Sequence, residues 1–379
     1  MSEPEAHNIV GGKSKKTELK LINDGTYGCV FHPGLTCKGK TENLKYITKI
    51  QMNKRSIKNE LRVSQKIKRI EGYARFFAPV LKHCSVKISK EHSDEMLKCG
   101  IFKTKDKNEV LSKSFISTKG RFIGDSDLSQ YLLSNVKPSR FLSELWRTHS
   151  YVLKGIDKLA SNGIVHYDLK DNNILFDSKL NVPIIIDYGL SFLKSDLKPE
   201  NFESIFFTFA DYSYWCIDIV VCSYIFREIG YNNSKTEKVG ESELTEIYNV
   251  FLYGRDEVSD KERRIVNRAF SIHSWNSSEQ LSAFKTNFAN YFGKFIGKTW
   301  WSVYEELIQF VDTWDNYSAA VIYAIMLDEA HAANESTYEA LIDSNKESMS
   351  RYLNVLSRVI YAMPNERPKI DETLRYIPK

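Results

Sequence analysis

Two short segments of the sequence carry side chains suited to chemistry on phosphate. The first reads VHYDLKDNNIL, a polar loop between apolar segments that presents Asp168, Lys170 and Asn173. The second reads IIIDYG, and its Asp187 follows Asn173 by fourteen residues. A carboxylate base, a lysine and oxygen ligands for a cation are the groups that phosphoryl transfer needs, because its catalysis consists mainly of positioning and charge stabilisation.

Each of these side chains has one predicted role. Asp168 accepts the proton of an attacking hydroxyl group, and Lys170, two residues further on, offsets charge on the moving phosphoryl group. Asn173 and Asp187 supply the hard oxygen ligands that Mg²⁺ prefers, with water and phosphate oxygens completing its octahedron. For any one of these aspartates alone, a polar turn in an unrelated α+β domain is the alternative interpretation.

The combined pattern of HYDLKDNNIL and DYG resembles the catalytic loop and metal-binding turn of eukaryotic-type serine/threonine protein kinases, with Tyr167 replacing the family arginine and Tyr188 the family phenylalanine. The resemblance implies an α+β, bilobal protein-kinase-like fold, with a small antiparallel-sheet N-lobe containing one helix and a larger, mainly helical C-lobe. The expected boundaries are a flexible N-terminal tail over residues 1–18, the N-lobe over 19–121 and the C-lobe over 122–379. The segment GTYGCVFHPGLTC also resembles the divergent kinases encoded by large DNA viruses.

A glycine-containing hairpin near the N-terminus is the first part of a predicted nucleotide site. Its sequence predicts strand, turn and strand, and small residues at the bend let backbone N–H groups approach phosphate oxygens. The hairpin resembles the glycine-rich loop of protein kinases, with an asparagine in place of the first glycine. This resemblance implies nucleotide-binding positions at Asn23, Gly25, Gly28 and Val30.

A lysine on a predicted strand and a glutamate on the following helix complete this site. In protein kinases such a lysine contacts the α- and β-phosphates and is held by the glutamate, which implies these roles for Lys49 and Glu60. Asp127 lies where the resemblance places the hinge between the lobes. Two interpretations stay open for it: contact with the nucleotide ribose, or capping of the short helix that follows.

The spacing of apolar residues predicts the other elements. Predicted helices cover residues 54–70, 138–162, 241–253, 298–310 and 348–363, and predicted strands cover 46–50, 76–89 and 113–120. The apolar stretch 206–226 is predicted as a buried helix that begins at Trp215, with the residues before it as an approach segment. The charged stretch 91–109 predicts a loop insertion, with a strand at 96–102 as the alternative. His166 is predicted to pack as a support of the catalytic loop, without a role as base or metal ligand.

Two further residues resemble structural supports of protein kinases. Asp218 resembles the aspartate that fixes the backbone of the catalytic loop, and Arg367 resembles the arginine that pairs with the glutamate of an APE motif. No clear APE motif precedes Asp218, and the nearest match, ending at Glu200, lies close to Asp187 along the chain. The partner of Arg367 and the geometry of substrate docking therefore stay open.

The composition indicates a globular protein of enzyme size. The chain has 379 residues, of which 42% are hydrophobic and 27% charged, with a net charge of +5. Basic residues are spread along the chain, so no nucleic-acid partner is expected. No signal segment or membrane span is predicted, since the apolar stretch 206–226 contains two aspartates. Six cysteines without a CxxC pair predict reduced thiols and a cytoplasmic localisation, in the host cytoplasm or the virion if the source is viral.

The predicted function is phosphorylation of serine and threonine hydroxyl groups on protein substrates, with ATP and Mg²⁺ as cofactors. Lys170 favours serine and threonine over tyrosine in the kinases that the sequence resembles. The first alternative is a pseudokinase scaffold that binds nucleotide or partner proteins without transfer, which the missing APE motif and Asn23 favour. The second is a small-molecule phosphotransferase of the aminoglycoside-kinase type. Lys170 and Gly189 favour a protein kinase over this alternative.

Overall fold

The structure, a computed structural model, describes residues 18–25, 28–52, 54–102, 105–124, 126–255, 264–272 and 278–379. Residues 1–17 of the predicted tail lie outside these ranges. Contacts divide the chain into two compact units, and the smaller one combines the residues up to Lys54 with Val80–Phe122. The larger one combines Arg55–Pro79 with Ile123–Lys379. The lobe boundaries at 19–121 and 122–379 stay a prediction.

Strands dominate the smaller unit and helices dominate the larger one. The strands are β1 (Lys20–Gly25), β2 (Gly28–His32), β3 (Tyr46–Gln51), β4 (Lys82–Lys87), β5 (Ser114–Arg121), β6 (Ile164–Val165), β7 (Ile174–Asp177), β8 (Val182–Ile185) and β9 (Phe192–Leu193). The helices are α1 (Lys54–Ile67), α2 (Ser93–Met96), α3 (Lys107–Ser112), α4 (Leu128–Gln130), α5 (Phe141–Ser161), α6 (Phe202–Ile205), α7 (Ile217–Tyr224), α8 (Tyr231–Ser234), α9 (Glu241–Tyr253), α10 (Ser278–Gly293), α11 (Trp300–Leu307), α12 (Trp314–Ala333), α13 (Glu335–Ser344), α14 (Lys346–Ile360) and α15 (Ile370–Tyr376).

Within the described residues, the smaller unit is built on a five-stranded antiparallel sheet in the order β1-β2-β3-β5-β4. Alternate residues of its strands, among them Phe31, Ile50 and Val86, turn to one face and form a separate apolar core. The predicted strands at 46–50 and 113–120 are confirmed as β3 and β5. β4 is shorter than the strand predicted over 76–89, whose first residues group with the larger unit.

The charged insertion between β4 and β5 forms short helices, and the alternative of a strand over residues 96–102 is wrong. Met96, Cys99 and Phe102 recur every three residues and are each fully buried. This is the spacing of helical turns and not the alternation of a strand. Asp106 caps α3 by accepting hydrogen bonds from two backbone amides.

Four cysteines of the smaller unit form two disulfides, which corrects the prediction that the thiols are reduced. Cys29 on β2 pairs with Cys99, and Cys37 pairs with Cys84 on β4. The partners lie 70 and 47 residues apart in the sequence, so no short spacing motif marks them. The fold of the sheet and its insertion brings them together. The two remaining cysteines, both buried in the larger unit, are free thiols.

Two long helices form the centre of the larger unit. α5 confirms the helix predicted over 138–162. Its C-cap residue, Asn162, precedes Gly163, whose φ of 65° suits a glycine after a helix. α12 was not predicted from the sequence. Every residue of α12 from Trp314 to Leu327 is buried, as expected for a helix enclosed on all sides, and it packs against α5 and α14.

The fold class is the predicted one. A small antiparallel sheet unit is followed by a larger, mainly helical unit, in keeping with an α+β fold of the protein-kinase type. None of the helices among the described residues is long and apolar enough to cross a membrane.

Candidate active site

The two predicted catalytic segments lie side by side in the larger unit. β7 pairs with β8 in antiparallel register, with Ile174 opposite Ile185. The loop that precedes β7 and the turn that follows β8 are therefore adjacent, and the Ile186 amide donates to the Asn173 carbonyl at 2.9 Å. This pairing brings the Asn173 end of the loop next to Asp187. The two strands are short and apolar, and both are largely buried.

Asp168 lies at the centre of a set of hydrogen bonds. Lys170 Nζ is 3.2 Å from its Oδ1 atom and 3.1 Å from its Oδ2 atom. Asn173 Nδ2 donates to the Asp168 carbonyl at 2.7 Å and to Oδ2 at 3.1 Å. The structure thus brings together three of the four side chains predicted from the loop and turn. A fixed carboxylate with an adjacent cation is an arrangement suited to accept a proton from a hydroxyl group.

Asn173 and Asp187 carry the kinds of oxygen atom that the predicted magnesium site needs, and binding of the ion there stays a prediction. Both hydrogen bonds of the Asn173 amide are donated by its nitrogen, so they do not use the side-chain oxygen, which is the ligand atom for a cation. Asp187 accepts a hydrogen bond from the Gly189 amide at 3.3 Å on Oδ1. An amide oxygen and a carboxylate are ligands that Mg²⁺ prefers, and the bound ion would neutralise charge on phosphate oxygens.

Two residues of the site adopt left-handed backbone conformations. Tyr167 has a φ of 69° and Asp187 a φ of 59°, which is uncommon for residues other than glycine. Such conformations cost about 1–3 kcal/mol each and persist where neighbouring contacts enforce them. At Tyr167 the neighbours are visible: its carbonyl accepts from Trp215 Nε1 at 2.9 Å, and its ring packs against Phe192.

Asp315, on the first turn of α12, fixes the backbone of the catalytic loop. Its carboxylate accepts the His166 amide at 2.7 Å and the Tyr167 amide at 2.9 Å. Burial raises the pKa of Asp315, while the nearby His166 and the two amides oppose this shift. The prediction that Asp218 has this role is therefore wrong. The signal for Asp315 was present as an aspartate opening a long apolar run, but it stands 149 residues beyond His166.

Asp218 instead pairs with Arg367. The guanidinium group donates to Asp218 at 2.7 and 3.1 Å, and both side chains are almost completely buried. Burial lowers the pKa of Arg367, but the charge and hydrogen bonds of Asp218 outweigh it and raise the pKa overall. Trp314 Nε1 also donates to Asp218 at 3.1 Å. The partner of Arg367 is therefore Asp218. Glu200, which ends the nearest match to an APE motif, is exposed.

His166 supports the loop, as predicted. Its Nε2 atom lies 3.0 Å from the Ile186 carbonyl, which can only accept, so Nε2 carries the hydrogen. Its own carbonyl accepts from Ser191 Oγ at 2.9 Å. The ring is completely buried. His166 therefore joins the catalytic loop to the segments on both sides of Asp187.

Two tyrosines of the segment before α7 reach the catalytic loop, and the sequence did not reveal them. Tyr212 donates its hydroxyl hydrogen to Asp168 Oδ1 at 3.0 Å, and Tyr214 donates to Asp171 Oδ1 at 3.2 Å. Burial, followed by the charge of Asp168, raises the pKa of Tyr212 well above its usual value, so the phenol keeps its proton. The only signal in the sequence was the aromatic richness of this segment.

The helix α1 contacts the segment that follows Asp187. Asn59 Nδ2 donates to the carbonyls of Gly189 and Ser191, and Arg62 forms an ion pair with Asp196. Glu60 lies on the same helix and is 4% exposed. The predicted contact between Glu60 and Lys49, which belong to different units, stays a prediction.

The predicted nucleotide-binding residues of the smaller unit share neighbouring strands. In the register of the sheet, Asn23 lies opposite Val30, and Val30 lies opposite Lys49. Gly25 pairs with Gly28, and a Cβ atom on Gly28 would lie 2.2 Å from the Ile50 carbonyl oxygen. Glycine is therefore required there by the close approach of β3. Binding of nucleotide at these positions stays a prediction.

Asp127 caps α4. Its side chain accepts the Gln130 amide at 2.7 Å, which is the capping role left open by the sequence. Its backbone pairs with Leu175 on β7, so it lies beside the strand that leaves the catalytic loop. Contact with a ribose stays a prediction.

The sequence shows partial similarity to known protein kinases. The chain is 25% identical over 188 residues to CBL-interacting serine/threonine-protein kinase 14 of Arabidopsis thaliana, a match that covers 48% of this chain and 34% of that kinase. It is 39% identical over 59 residues to mitogen-activated protein kinase kinase kinase 8 of Rattus norvegicus, covering 16% of this chain and 12% of that protein. No family model matches the chain.

The matched regions thus span about a third of the first relative and about an eighth of the second. These partial similarities support a protein-kinase-like family and a kinase-type transferase.

Proposed function

We propose that the protein transfers the γ-phosphoryl group of ATP to serine and threonine hydroxyl groups of protein substrates. The observation that carries this proposal is the group formed by Asp168, Lys170 and Asn173, held on a backbone that Asp315 fixes. The partial similarity to two protein kinases supports the same class of reaction.

The residues of the loop have separate tasks in this proposal. Asp168 takes the proton as the acceptor oxygen bonds to phosphorus, and Asn173 keeps the carboxylate oriented through its amide hydrogens. Lys170, already at Asp168, places positive charge where the transferred group passes. Asn173 and Asp187 would hold Mg²⁺, while Lys49 and Glu60 keep the phosphate-positioning roles predicted from the sequence. Protein partners, a cytoplasmic localisation and the likeness to kinases of large DNA viruses stay predictions.

A radiolabel-transfer assay tests the proposal. Purified protein is incubated with Mg²⁺ and labelled ATP, together with casein-like proteins, basic proteins and aminoglycosides. Wild type should label serine and threonine of the proteins, and Asp168→Asn and Asp187→Asn should lower the rate by about 10²-fold or more. Asp343→Asn, an exposed aspartate on α13, is the matched control and should transfer as wild type does. Label on aminoglycosides alone would favour a small-molecule phosphotransferase.

One observation favours the alternative of a scaffold without transfer. Tyr212 already donates to Asp168 Oδ1, the atom that an acceptor hydroxyl group would need. If this contact were permanent, wild type would bind Mg²⁺-ATP but label no acceptor, and the two aspartate variants would be equally silent.

A further inference from the structure

Tyr212 satisfies the geometric requirement for a phosphoryl acceptor. A general base must lie within about 2.6–3.2 Å of the group whose proton it removes, and the Tyr212 oxygen lies 3.0 Å from Asp168 Oδ1. Lys170 and Asn173, the other side chains that bond to this carboxylate in the described structure, are nitrogen donors. Tyr212 thus places a hydroxyl group where the substrate hydroxyl group is expected.

The three residues that directly follow Tyr212 are held in place by hydrogen bonds. Trp215 donates to the Tyr167 carbonyl at 2.9 Å, and Ser318 on α12 donates to the Tyr214 carbonyl at 2.7 Å. The Arg268 amide donates to Ser213 Oγ at 3.0 Å. Because the phenol already lies at the base, its reaction does not require two protein molecules to meet. This proximity favours a step within one protein molecule.

We propose that Tyr212 is a phosphorylation site of the protein itself, modified within one molecule by its own Asp168. This inference rests on the proposed kinase activity and extends it to a tyrosine acceptor. Its chemical class is an aryl phosphate ester formed from ATP.

The step balances as a single displacement. The Tyr212 oxygen bonds to the γ-phosphorus of ATP, and the bond between that phosphorus and the β,γ-bridging oxygen breaks. ADP leaves with the electron pair of that bond, and the Tyr212 proton passes to Asp168 Oδ1. The raised pKa of Tyr212 means that the phenol reaches this step protonated, so a base is required.

Phosphorylation should end the contact between Tyr212 and Asp168. A phosphotyrosine carries about −1.5 to −2 charges near neutral pH, and Asp168 is a carboxylate in the same place. The like charges repel, so the modified side chain leaves the base. Until then, Tyr212 and a protein substrate compete for the same oxygen atom.

Tyr214 provides a matched internal control. It lies two residues further along the same segment and is also half-buried, but its hydroxyl group bonds to Asp171 and not to Asp168. Tyr376 provides a second control, since it is 47% exposed and accessible to reaction between molecules. If Tyr212 is phosphorylated and Tyr214 and Tyr376 are not, the cause is the position of Tyr212 at Asp168 and not its accessibility.

The test is site mapping by mass spectrometry. The 379-residue protein is first treated with phosphatase, freed of it, and incubated with Mg²⁺-ATP at several protein concentrations. We expect phosphate on Tyr212, approaching one per chain at a rate independent of protein concentration, and none on Tyr214 or Tyr376. Tyr214→Phe should still be labelled at Tyr212. Isotopically heavy Asp168→Asn protein, mixed with light wild type, should stay unlabelled at Tyr212.

The other outcomes separate the two proposals. Transfer to casein-like proteins with no phosphate on Tyr212 would overturn this inference and leave the kinase activity standing. Phosphate on Tyr214 in place of Tyr212, or on the heavy Asp168→Asn chain, would overturn it as well. Absence of transfer to any acceptor would overturn both.

Discussion

The carboxylate of Asp168 is shared by donors of three kinds. Lys170 supplies charge, Asn173 supplies orientation and Tyr212 supplies a hydroxyl hydrogen, all within 3.2 Å. The sequence predicted Lys170 beside Asp168 and marked Asn173 as a metal ligand of the same loop, because both stand within five residues of Asp168. It did not predict Tyr212, which stands 44 residues away. Local spacing therefore predicts which residues of the loop are catalytic, but it does not predict that Tyr212 bonds to Asp168.

Asn173 offers a test at the scale of one residue. Replacing it with alanine removes both hydrogen bonds to Asp168 and the amide oxygen expected to bind Mg²⁺. We expect Asn173→Ala to lower the transfer rate by about 10²-fold or more, and to raise the Mg²⁺ concentration needed for half-maximal rate. Steady-state kinetics over a Mg²⁺ titration measures both.

The neighbouring Asn172 is the control for this prediction. It has the same side chain but is exposed, so Asn172→Ala should transfer at close to the wild-type rate. Equal losses in the two variants would mean that Asn173 has no special role at Asp168.

At the scale of elements, helices that are distant in sequence hold the site. α12 supplies Asp315 to the catalytic loop and Trp314 to Asp218. Asp218, on the first turn of α7, in turn binds Arg367, 149 residues further along the chain. The sequence marked Asp218 and Arg367 as important. It gave Asp218 the role that Asp315 has, because an aspartate at the start of a buried helix fits both.

The buried pair of Asp218 and Arg367 should be sensitive to removal of one partner. Asp218→Asn would leave the Arg367 guanidinium group buried without a counter-charge, which commonly costs about 3–5 kcal/mol of unfolding free energy. Denaturant unfolding of the variant measures this loss. The exposed pair of Arg351 and Glu347 on α14 is the control, and Glu347→Gln should cost less than about 1 kcal/mol. A similar small loss in both variants would contradict a structural role for the buried pair.

At the scale of the whole molecule, each unit has its own means of stabilisation. The smaller unit has a separate apolar core and two disulfides. The larger unit has a continuous core around α5 and α12 that encloses polar groups, among them His149. The His149 ring stacks on Tyr323, and its Nδ1 atom lies 2.8 Å from the Tyr352 hydroxyl oxygen.

His149 makes the stability depend on pH. Burial lowers its pKa from 6.5 to about 3, so the folded protein keeps it neutral where the unfolded chain binds a proton. The unfolded state is therefore favoured as the pH falls below about 6.5, by up to about 1.4 kcal/mol per pH unit for one proton. We expect His149→Phe to reduce this slope between pH 6.5 and 5, measured by denaturant unfolding. His83→Gln, an exposed histidine on β4, should keep the wild-type slope, and an unchanged slope in His149→Phe would disprove the assignment.

The sequence by itself determined the features whose signals are local. The loop and turn around Asp168 and Asp187, the strands of the first sheet and the amphipathic helix α5 all follow from spacing over fewer than about twenty-five residues. The family resemblance then supplied roles, but it gave Asp218 the role that the structure gives to Asp315.

Only the tertiary structure decided which distant residues meet. Asp315 at the catalytic loop, Arg367 at Asp218, Tyr212 at Asp168 and the two disulfides all join residues between 44 and 149 positions apart. Such contacts depend on how helices and strands pack, and the spacing of residue types along one element contains no information about its neighbour. The sequence therefore specified the chemical groups of the site. Packing decided which residues hold these groups in place and that the Tyr212 hydroxyl group bonds to Asp168.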